Sequence, residues 1–343
     1  MTTKVSTTDP PTTSPTRRRR DGFLARSRRF ALVVLALLIA LVTTAVGHEA
    51  IMSGGDASRY PGAGRLIDVG GHRMHLHCIG SGSPTVIMEG GGGGNVLHWM
   101  AVQPAIASST RVCTYDRAGM GWSEPGPVPR TPDRIVAELH TLLGNSGIPG
   151  PYVLVGHSIG AKYVRRYAGQ YPQDVAGMVL VDPRHEDVDA SMSPAMRADQ
   201  HTDAQTQQRV MWVLGRLGIV RLLARGPVDI PVETRRMINV LAAGPPALAT
   251  QLDEYGHQAD ADAALRAAEP LGELPLIVLS SELVAERDPI LQATMRTQAA
   301  LSTDGQIVIV PGSGHAIQFD RPDSVIDNVV RVVDAVRADR PLR

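Results

Sequence analysis

Gly156-His157-Ser158-Ile159-Gly160 forms the pattern G-x-S-x-G between an apolar run, Tyr152–Val155, and a helix-compatible stretch, 161–170. A sharp turn from a strand into a helix exposes the serine, and glycines tolerate the crowding on either side of it. The Ser158 hydroxyl would then lie at a helix N-terminus, where the backbone dipole favours the negative charge of acyl transfer. Its context favours a nucleophile over a Gly/Ser loop without chemistry.

A serine hydroxyl is a weak nucleophile near neutral pH, so a neutral imidazole must take its proton during attack. His315 lies in a Gly- and Ser-rich loop after the last predicted strand, between Gly314 and Ala316. The chain order of serine and then histidine predicts His315 as the base. We expect His157, beside the serine, to support the turn rather than perform chemistry.

From Arg65 onward the chain alternates strand-like and helix-like segments. Arg65–Val69 and His72–Ile79 predict a hairpin around Gly70-Gly71. The later predicted strands are Thr85–Met88, Arg111–Tyr115, Tyr152–Val155, Gly177–Val181, Leu276–Leu279 and Gln306–Val310. This order predicts an α/β fold, with a mostly parallel sheet covered by helices on both faces and a site beyond the carboxyl ends of its strands.

The interval between Val181 and Leu276 is too long for one crossover and contains helix-like pieces. We therefore predict an inserted helical lid at about 184–272. The alternative is a group of surface helices without a role in catalysis, and we assign no residue of this interval to the substrate.

Four motifs give the chain a resemblance to the alpha/beta hydrolases over about residues 65–340. They are GHSIG at 156–160, YDRAGMGWS at 115–123, LVDP at 180–183 and GSGHAIQFDRP at 312–322. The resemblance implies an eight-stranded sheet and a Ser–acid–His triad. It does not name the substrate, because this fold hosts many chemistries.

The acid of the triad must hold His315 in the correct tautomer and offset the charge of the imidazolium. Asp182 follows the strand after the serine helix, a location that some relatives use. Glu282 follows the Leu276–Leu279 strand, where most relatives have the acid. Glu286 and Asp288 come next along the chain, so all four carboxylates stay candidates, with Asp182 first.

The oxyanion hole is expected to use the backbone N–H groups of Ile159 and Gly91. Gly91 belongs to a run of five glycines, 90–94, which gives backbone access to a bound oxyanion. Many relatives have His-Gly at this turn, whereas Glu89-Gly90 stands here. A phosphate-binding loop is the alternative, but the run lacks a G-K-[ST] ending.

We expect no metal or other cofactor. His72, His75 and His77 alternate on a predicted strand, but no cysteine or further spaced ligand joins them, so paired or solvated side chains are favoured. The resemblance implies that the second and fourth strands, which carry Cys78 and Cys113, are adjacent. An exported domain could oxidise this pair to a disulfide, and two buried thiols are the alternative.

A formal net charge of zero hides an asymmetry, because residues 1–29 carry eight basic and two acidic side chains. The body of the chain is therefore acidic, and nothing in it suggests nucleic-acid binding. With 43% hydrophobic and 20% charged residues, its composition is that of a globular protein.

Residues 30–46 carry no charge and directly follow Arg26, Arg28 and Arg29. This pattern predicts a membrane anchor with a disordered cytoplasmic tail, 1–29, and an exported remainder joined by a linker, 47–64. A cleaved signal peptide is the main alternative, because Ala45-Val46-Gly47 offers small residues near its end. A buried core helix is the third reading.

Together these features predict a membrane-anchored serine hydrolase that cleaves an ester of a small-molecule or lipid-like acyl substrate, with the membrane as its other partner and no protein partner assigned. Acyl transfer or carbon–carbon bond hydrolysis with the same triad is the alternative within enzymes. Epoxide hydrolysis and dehalogenation are disfavoured, because relatives with those activities have a carboxylate where Ser158 stands. A non-catalytic binding module on the same fold is the alternative outside enzymes.

Overall fold

The structure is a computed structural model that describes residues 15–187, 206–223, 232–283 and 289–342 of the chain. It divides into two compact units, Met1–His48 and Glu49–Arg343.

A single long helix, α1, covers Pro15–Arg59. Its part from Arg26 to Asp56 is long and apolar enough to cross a membrane, with a mean hydropathy of 2.7 over its most apolar window. The apolar side chains of this window are exposed. A membrane anchor and a signal sequence both fit this length and composition.

Helix α1 also covers segments that we predict as irregular. Residues 15–29 of the predicted disordered tail are helical, and residues 47–59 of the predicted linker continue the helix. Glu49 and Asp56 are buried there, and each accepts a hydrogen bond of 2.7 Å from Arg221. These ion pairs offset the helix propensity lost at Gly54 and Gly55, about 1 kcal/mol each.

Eight strands form one sheet in the order β1-β2-β4-β3-β5-β6-β7-β8. β1 pairs with β2 and β2 with β4 in antiparallel fashion, and the other neighbours are parallel. The strands are β1 Arg65–Asp68, β2 Arg73–Ile79, β3 Thr85–Glu89, β4 Val112–Tyr115, β5 Tyr152–His157, β6 Val175–Val181, β7 Leu276–Ser281 and β8 Gly305–Val310. The predicted hairpin and the mostly parallel sheet are confirmed.

Helices cover the sheet, and others lie in the described part of the interval between β6 and β7. The α-helices after α1 are α2 Gln103–Ile106, α3 Pro132–Ser146, α4 Gly160–Gln170, α5 206–216, α6 Ile219–Leu223, α7 Val232–Ala243, α8 Pro245–Gly256, α9 Gln258–Arg266, α10 Pro289–Ala299, α11 Ile317–Asp320 and α12 Pro322–Ala338. Short 3₁₀ helices cover Val96–Trp99 and Pro172–Asp174.

The core lies on both faces of the sheet, because successive residues of a strand point to opposite sides. On one face Leu154 of β5 belongs to the same buried apolar cluster as Val164 of α4. On the other face Val155 shares a cluster with Val332 of α12. β5 is therefore fixed from both sides, and so is the turn that follows it.

Helices α5 to α9 form what we call the helical insertion (described residues 206–223 and 232–266). It lies within the predicted lid at 184–272, of which 188–205 and 224–231 fall outside the described residues. The helical content of the described part agrees with the prediction. Its role as a lid stays a prediction.

The antiparallel pairing of β2 with β4 brings Cys78 directly opposite Cys113. The structure joins the two sulfur atoms in a disulfide rather than leaving two thiols. The bond links positions 35 residues apart in the chain.

Candidate active site

Ser158 lies at the turn between β5 and α4. Its φ is 55°, in the left-handed region that residues with a side chain rarely adopt. A Cβ atom at Gly156 would lie 2.7 Å from Ala161 Cα, and one at Gly160 would lie 2.9 Å from Glu89 Cγ. Both positions therefore need glycine, and the tight packing around them holds the strained turn.

Three side chains from the ends of different elements meet at this turn. The Ser158 hydroxyl donates to His315 Nε2 over 3.0 Å, and His315 Nδ1 donates to Asp182 Oδ2 over 2.7 Å. The hydrogen positions follow from the carboxylate, which can only accept, so Nδ1 must carry the hydrogen and Nε2 is left to accept. This arrangement can pass a proton from the serine to the imidazole while the carboxylate orients the ring.

Asp182 is the carboxylate that contacts His315 among the described residues. It follows β6, only 2% of its surface is exposed, and its second oxygen accepts a hydrogen bond of 2.8 Å from Ser281 N–H. Glu282 instead accepts from Gly312 N–H over 2.7 Å. Glu286 and Asp288, the other two candidates, lie outside the described residues.

His157 supports the loop that carries the base. Its Nε2 donates to the main-chain oxygen of His315 over 2.9 Å. Burial, together with the nearby His315, lowers the pKa of His157 to about 3. His157 is therefore neutral at ordinary pH, so it adds no charge beside the base.

The two backbone groups expected in the oxyanion hole both border Ser158. A Cβ atom at Gly91 would lie 3.3 Å from Ser158 Cβ and 2.8 Å from His157 Nδ1, so only glycine fits there. Ile159 is the N-cap residue of α4, at the helix end where N–H groups lack partners within the helix. The structure thus brings both predicted donors to the side of the serine.

Glu89, the departure from the His-Gly pattern, is buried in a polar network. Tyr115 donates a hydrogen bond to its carboxylate, and the Arg117 guanidinium forms an ion pair with it. Burial raises the pKa of Glu89 to about 7, although the charge of Arg117 opposes this shift. Arg117 was not among the predicted site residues, although the sequence carries a signal for it, namely a basic residue inside the YDRAGMGWS motif two positions after a buried strand.

Helix α8 of the helical insertion lies directly against the glycine run. A Cβ atom at Gly92 would lie 2.6 Å from Tyr255 Oη, and one at Gly93 would lie 2.8 Å from the Gln251 amide. The glycines therefore serve two purposes, because they expose backbone groups beside Ser158 and they let α8 approach the loop closely.

Two of the three histidines near β2 lie close to carboxylates. His75 Nδ1 lies 2.9 Å from the Asp116 carboxylate, and His72 Nε2 lies 3.4 Å from Glu138. Burial lowers the pKa of His77, which is on the same strand as His75. Among the residues that the structure describes, no group of three or more His, Cys, Asp or Glu side chains is arranged to hold a metal ion.

Comparisons with known proteins agree with this architecture. The (lyso)-N-acylphosphatidylethanolamine lipase of Mus musculus is 34% identical over 105 residues, which are 29% of this chain and 30% of that protein. The chain spans less than half the length of the curated relatives compared, from 18% to 48%.

Solved structures show the same fold at low identity. The epoxide hydrolase CorEH superposes with a TM-score of 0.67 at 17% identity, covering 80% of this chain and 99% of that one. The serine hydrolase CarC, involved in carbazole degradation, gives 0.59 at 18% identity, covering 79% and 98%.

A model of the alpha/beta hydrolase family matches residues 86–328. This range runs from β3 to α12 and includes the glycine run, Ser158, Asp182 and His315. The chain therefore belongs to the alpha/beta hydrolase family.

Proposed function

We propose that the chain is a serine hydrolase that cleaves a carboxylic ester through Ser158, His315 and Asp182. The observation that carries the proposal is the continuous hydrogen-bonded path from the Ser158 hydroxyl through both nitrogens of His315 to the buried Asp182 carboxylate, at 3.0 and 2.7 Å. Such a path activates a hydroxyl that is otherwise a poor nucleophile.

The reaction follows from this geometry. His315 takes the proton as Ser158 Oγ attacks the acyl carbon, and Asp182 offsets the charge of the imidazolium. The N–H groups of Gly91 and Ile159 stabilise the oxyanion of the tetrahedral intermediate. His315 then protonates the departing alcohol, and water, activated by the same imidazole, releases the acyl group and restores the serine.

A small-molecule or lipid-like acyl ester is the proposed substrate class. The similarity to a mouse lipase, 34% over 105 residues, supports an acyl substrate. An ester needs less assistance to its leaving group than an amide does. A serine oxygen at this turn also argues against the carboxylate-nucleophile chemistry of epoxide opening, although an epoxide hydrolase shares the fold.

We further propose that residues 30–46 anchor the chain in a membrane with the catalytic domain on its outer side. The eight basic residues of 1–29 precede the apolar span, as expected for a cytoplasmic N-terminus. The disulfide between Cys78 and Cys113 supports an oxidising compartment.

Labelling of the full chain with a fluorophosphonate probe tests the catalytic proposal. We expect wild-type protein to be labelled and to hydrolyse a short p-nitrophenyl ester, and Ser158→Ala to lose both properties while remaining folded. Ser108→Ala is a matched control, because Ser108 is an exposed serine outside the site and its loss leaves labelling intact. A folded Ser158→Ala protein with wild-type turnover refutes the proposal, and an unlabelled, inactive wild type favours a binding module.

A further inference from the structure

Arg117 is a buried cation two residues after the end of β4, with 1% of its side chain exposed. A guanidinium has five N–H groups, and the described contacts of Arg117 use all of them. Nε and Nη2 donate to the two oxygens of Glu254 at 2.9 and 3.0 Å. Nη1 donates to the Gly90 carbonyl at 2.8 Å and to Glu89, while Nη2 also donates to the Gly91 carbonyl at 2.9 Å.

The carbonyl of Gly90 belongs to the same peptide group as the N–H of Gly91. In a trans peptide these two bonds point in opposite directions. Because Arg117 binds the carbonyl, the Gly91 N–H points away from the guanidinium. Since five glycines in a row leave the local backbone little steric preference, an outside contact has to fix this orientation.

We propose that Arg117 is a positioning residue, which fixes the peptide between Gly90 and Gly91 so that the Gly91 N–H serves the oxyanion, and that Glu254 holds Arg117 in place. The inference rests on the proposed function, because it concerns the oxyanion hole of the same site. Glu254 belongs to α8, so the helical insertion contributes to the catalytic geometry without touching the triad.

The charges around Arg117 favour a permanent contact of its guanidinium with Glu254 and Glu89. Burial opposes the charge on Arg117, but Glu254 and Glu89 outweigh it and hold the pKa of Arg117 above its ordinary value. The ring of Tyr163 packs against the guanidinium, 5.3 Å from its carbon to the ring centroid. Arg117 is therefore held from several sides, as the precise orientation of a peptide group requires.

A second buried arginine, Arg130, provides a control that distinguishes a positioning role of Arg117 from a merely structural one. Arg130 is also 1% exposed and forms a bidentate pair with Glu138 at 2.7 and 2.6 Å. Its other described bonds reach Pro127 and Asp253 rather than the glycine run. Breaking either ion pair leaves a buried charge with a poorer partner, so a substitution of Arg117 or of Arg130 destabilises the fold. Only a substitution of Arg117 also disturbs the peptide group beside Ser158.

The experiment compares Arg117→Lys, Glu254→Gln and the control Arg130→Lys in the full chain. For each we would measure kcat and KM on a short activated ester, the inhibition constant of an alkylboronic acid and the melting temperature. The boronic acid forms a tetrahedral adduct on the serine and so reports binding of the transition state.

We expect Arg117→Lys to lower kcat about 100-fold, which is at the lower end of the effect of losing one oxyanion donor. The inhibition constant of the boronic acid should rise by a similar factor, and KM should be nearly unchanged. Glu254→Gln keeps its shape but loses charge, so we expect about a 10-fold effect of the same kind. Arg130→Lys should lower the melting temperature and leave kcat and boronic acid binding within about threefold of wild type.

Folded Arg117→Lys protein with kcat within about threefold of wild type overturns the inference. So does an Arg130→Lys control that loses kcat and boronic acid affinity to the same extent. If Arg117→Lys does not fold, the nearly isosteric Glu254→Gln decides, and unchanged boronic acid affinity there counts against the inference. Wild-type protein that a fluorophosphonate does not label refutes the proposed function and the inference with it, whereas labelled and fully active variants refute the inference alone.

Discussion

Replacing Cys78 and Cys113 together by alanine removes the disulfide between β2 and β4 and frees the intervening chain in the unfolded state. The bond links positions 35 residues apart. Loop-closure entropy for a ring of that size is about 13 cal/mol/K, which corresponds to about 4 kcal/mol at 25 °C. For a domain of this size each kcal/mol shifts the melting temperature by about 2 °C, so we expect the double variant to melt about 8 °C lower.

Alanine is the suitable replacement, because Cys113 is fully buried and serine would add an unpaired hydroxyl there. Calorimetry of the full chain at one fixed scan rate measures the shift, with and without dithiothreitol. The reductant should lower the melting temperature of wild-type protein by a similar amount and leave the double variant unchanged. A double variant that melts within about 2 °C of oxidised wild type refutes the expected entropic stabilisation.

Three further predictions concern the acid, the buried histidine and the location. Asp182→Asn should lower kcat about 10³–10⁴-fold in ester assays while Glu282→Gln changes little, and a near-normal rate for Asp182→Asn would assign the role to another carboxylate. The pKa of His157 is about 3 in the folded protein, so as the pH falls below about 6.5 this histidine takes up a proton in the unfolded protein but not in the folded one. The folded protein therefore keeps its stability above that pH and loses stability below it. In urea unfolding, this histidine should make the free energy of unfolding about 1–2 kcal/mol lower at pH 5.5 than at pH 7.5. If His157→Gln loses as much stability between these pH values as the wild type, His157 is not the cause of the loss. Protease added to intact spheroplasts should digest the catalytic domain and spare residues 1–29. Full protection of the domain until the cells are lysed would contradict export. A soluble form beginning near His48 would indicate a cleaved signal peptide.

Most of the sheet could be predicted from the sequence, because parallel strands buried on both faces appear as short apolar runs. Tyr152–Val155 and Leu276–Leu279 are such runs, and each lies within a strand of the structure. Local order also made Ser158 and His315 the strongest candidates for nucleophile and base. These features depend on neighbouring residues, which the sequence displays directly.

Contacts between distant positions could not be predicted in the same way. Asp182 and Glu282 both follow strands, and only the approach of the His315 loop, 133 residues from Asp182, distinguishes them. The sequence alone does not reveal that Arg117 is paired and buried, because its partner Glu254 lies 137 residues further along the chain. The helical segment at 47–59 depends in the same way on Arg221, 172 residues from Glu49.

The close approach of α8 to the glycine run has a consequence for directed evolution of this part of the molecule. Position 92 or 93 can hardly be changed, since any side chain there collides with Tyr255 or Gln251. Gly93 is also constrained by its φ of 66°. Tyr255 and Gln251 are themselves free of that backbone constraint, so accepted changes in this part of the molecule should accumulate on the helix and leave the loop as it is. Helix α8 is thus the adaptable side of this contact, and the glycine run after β3 is the constrained side.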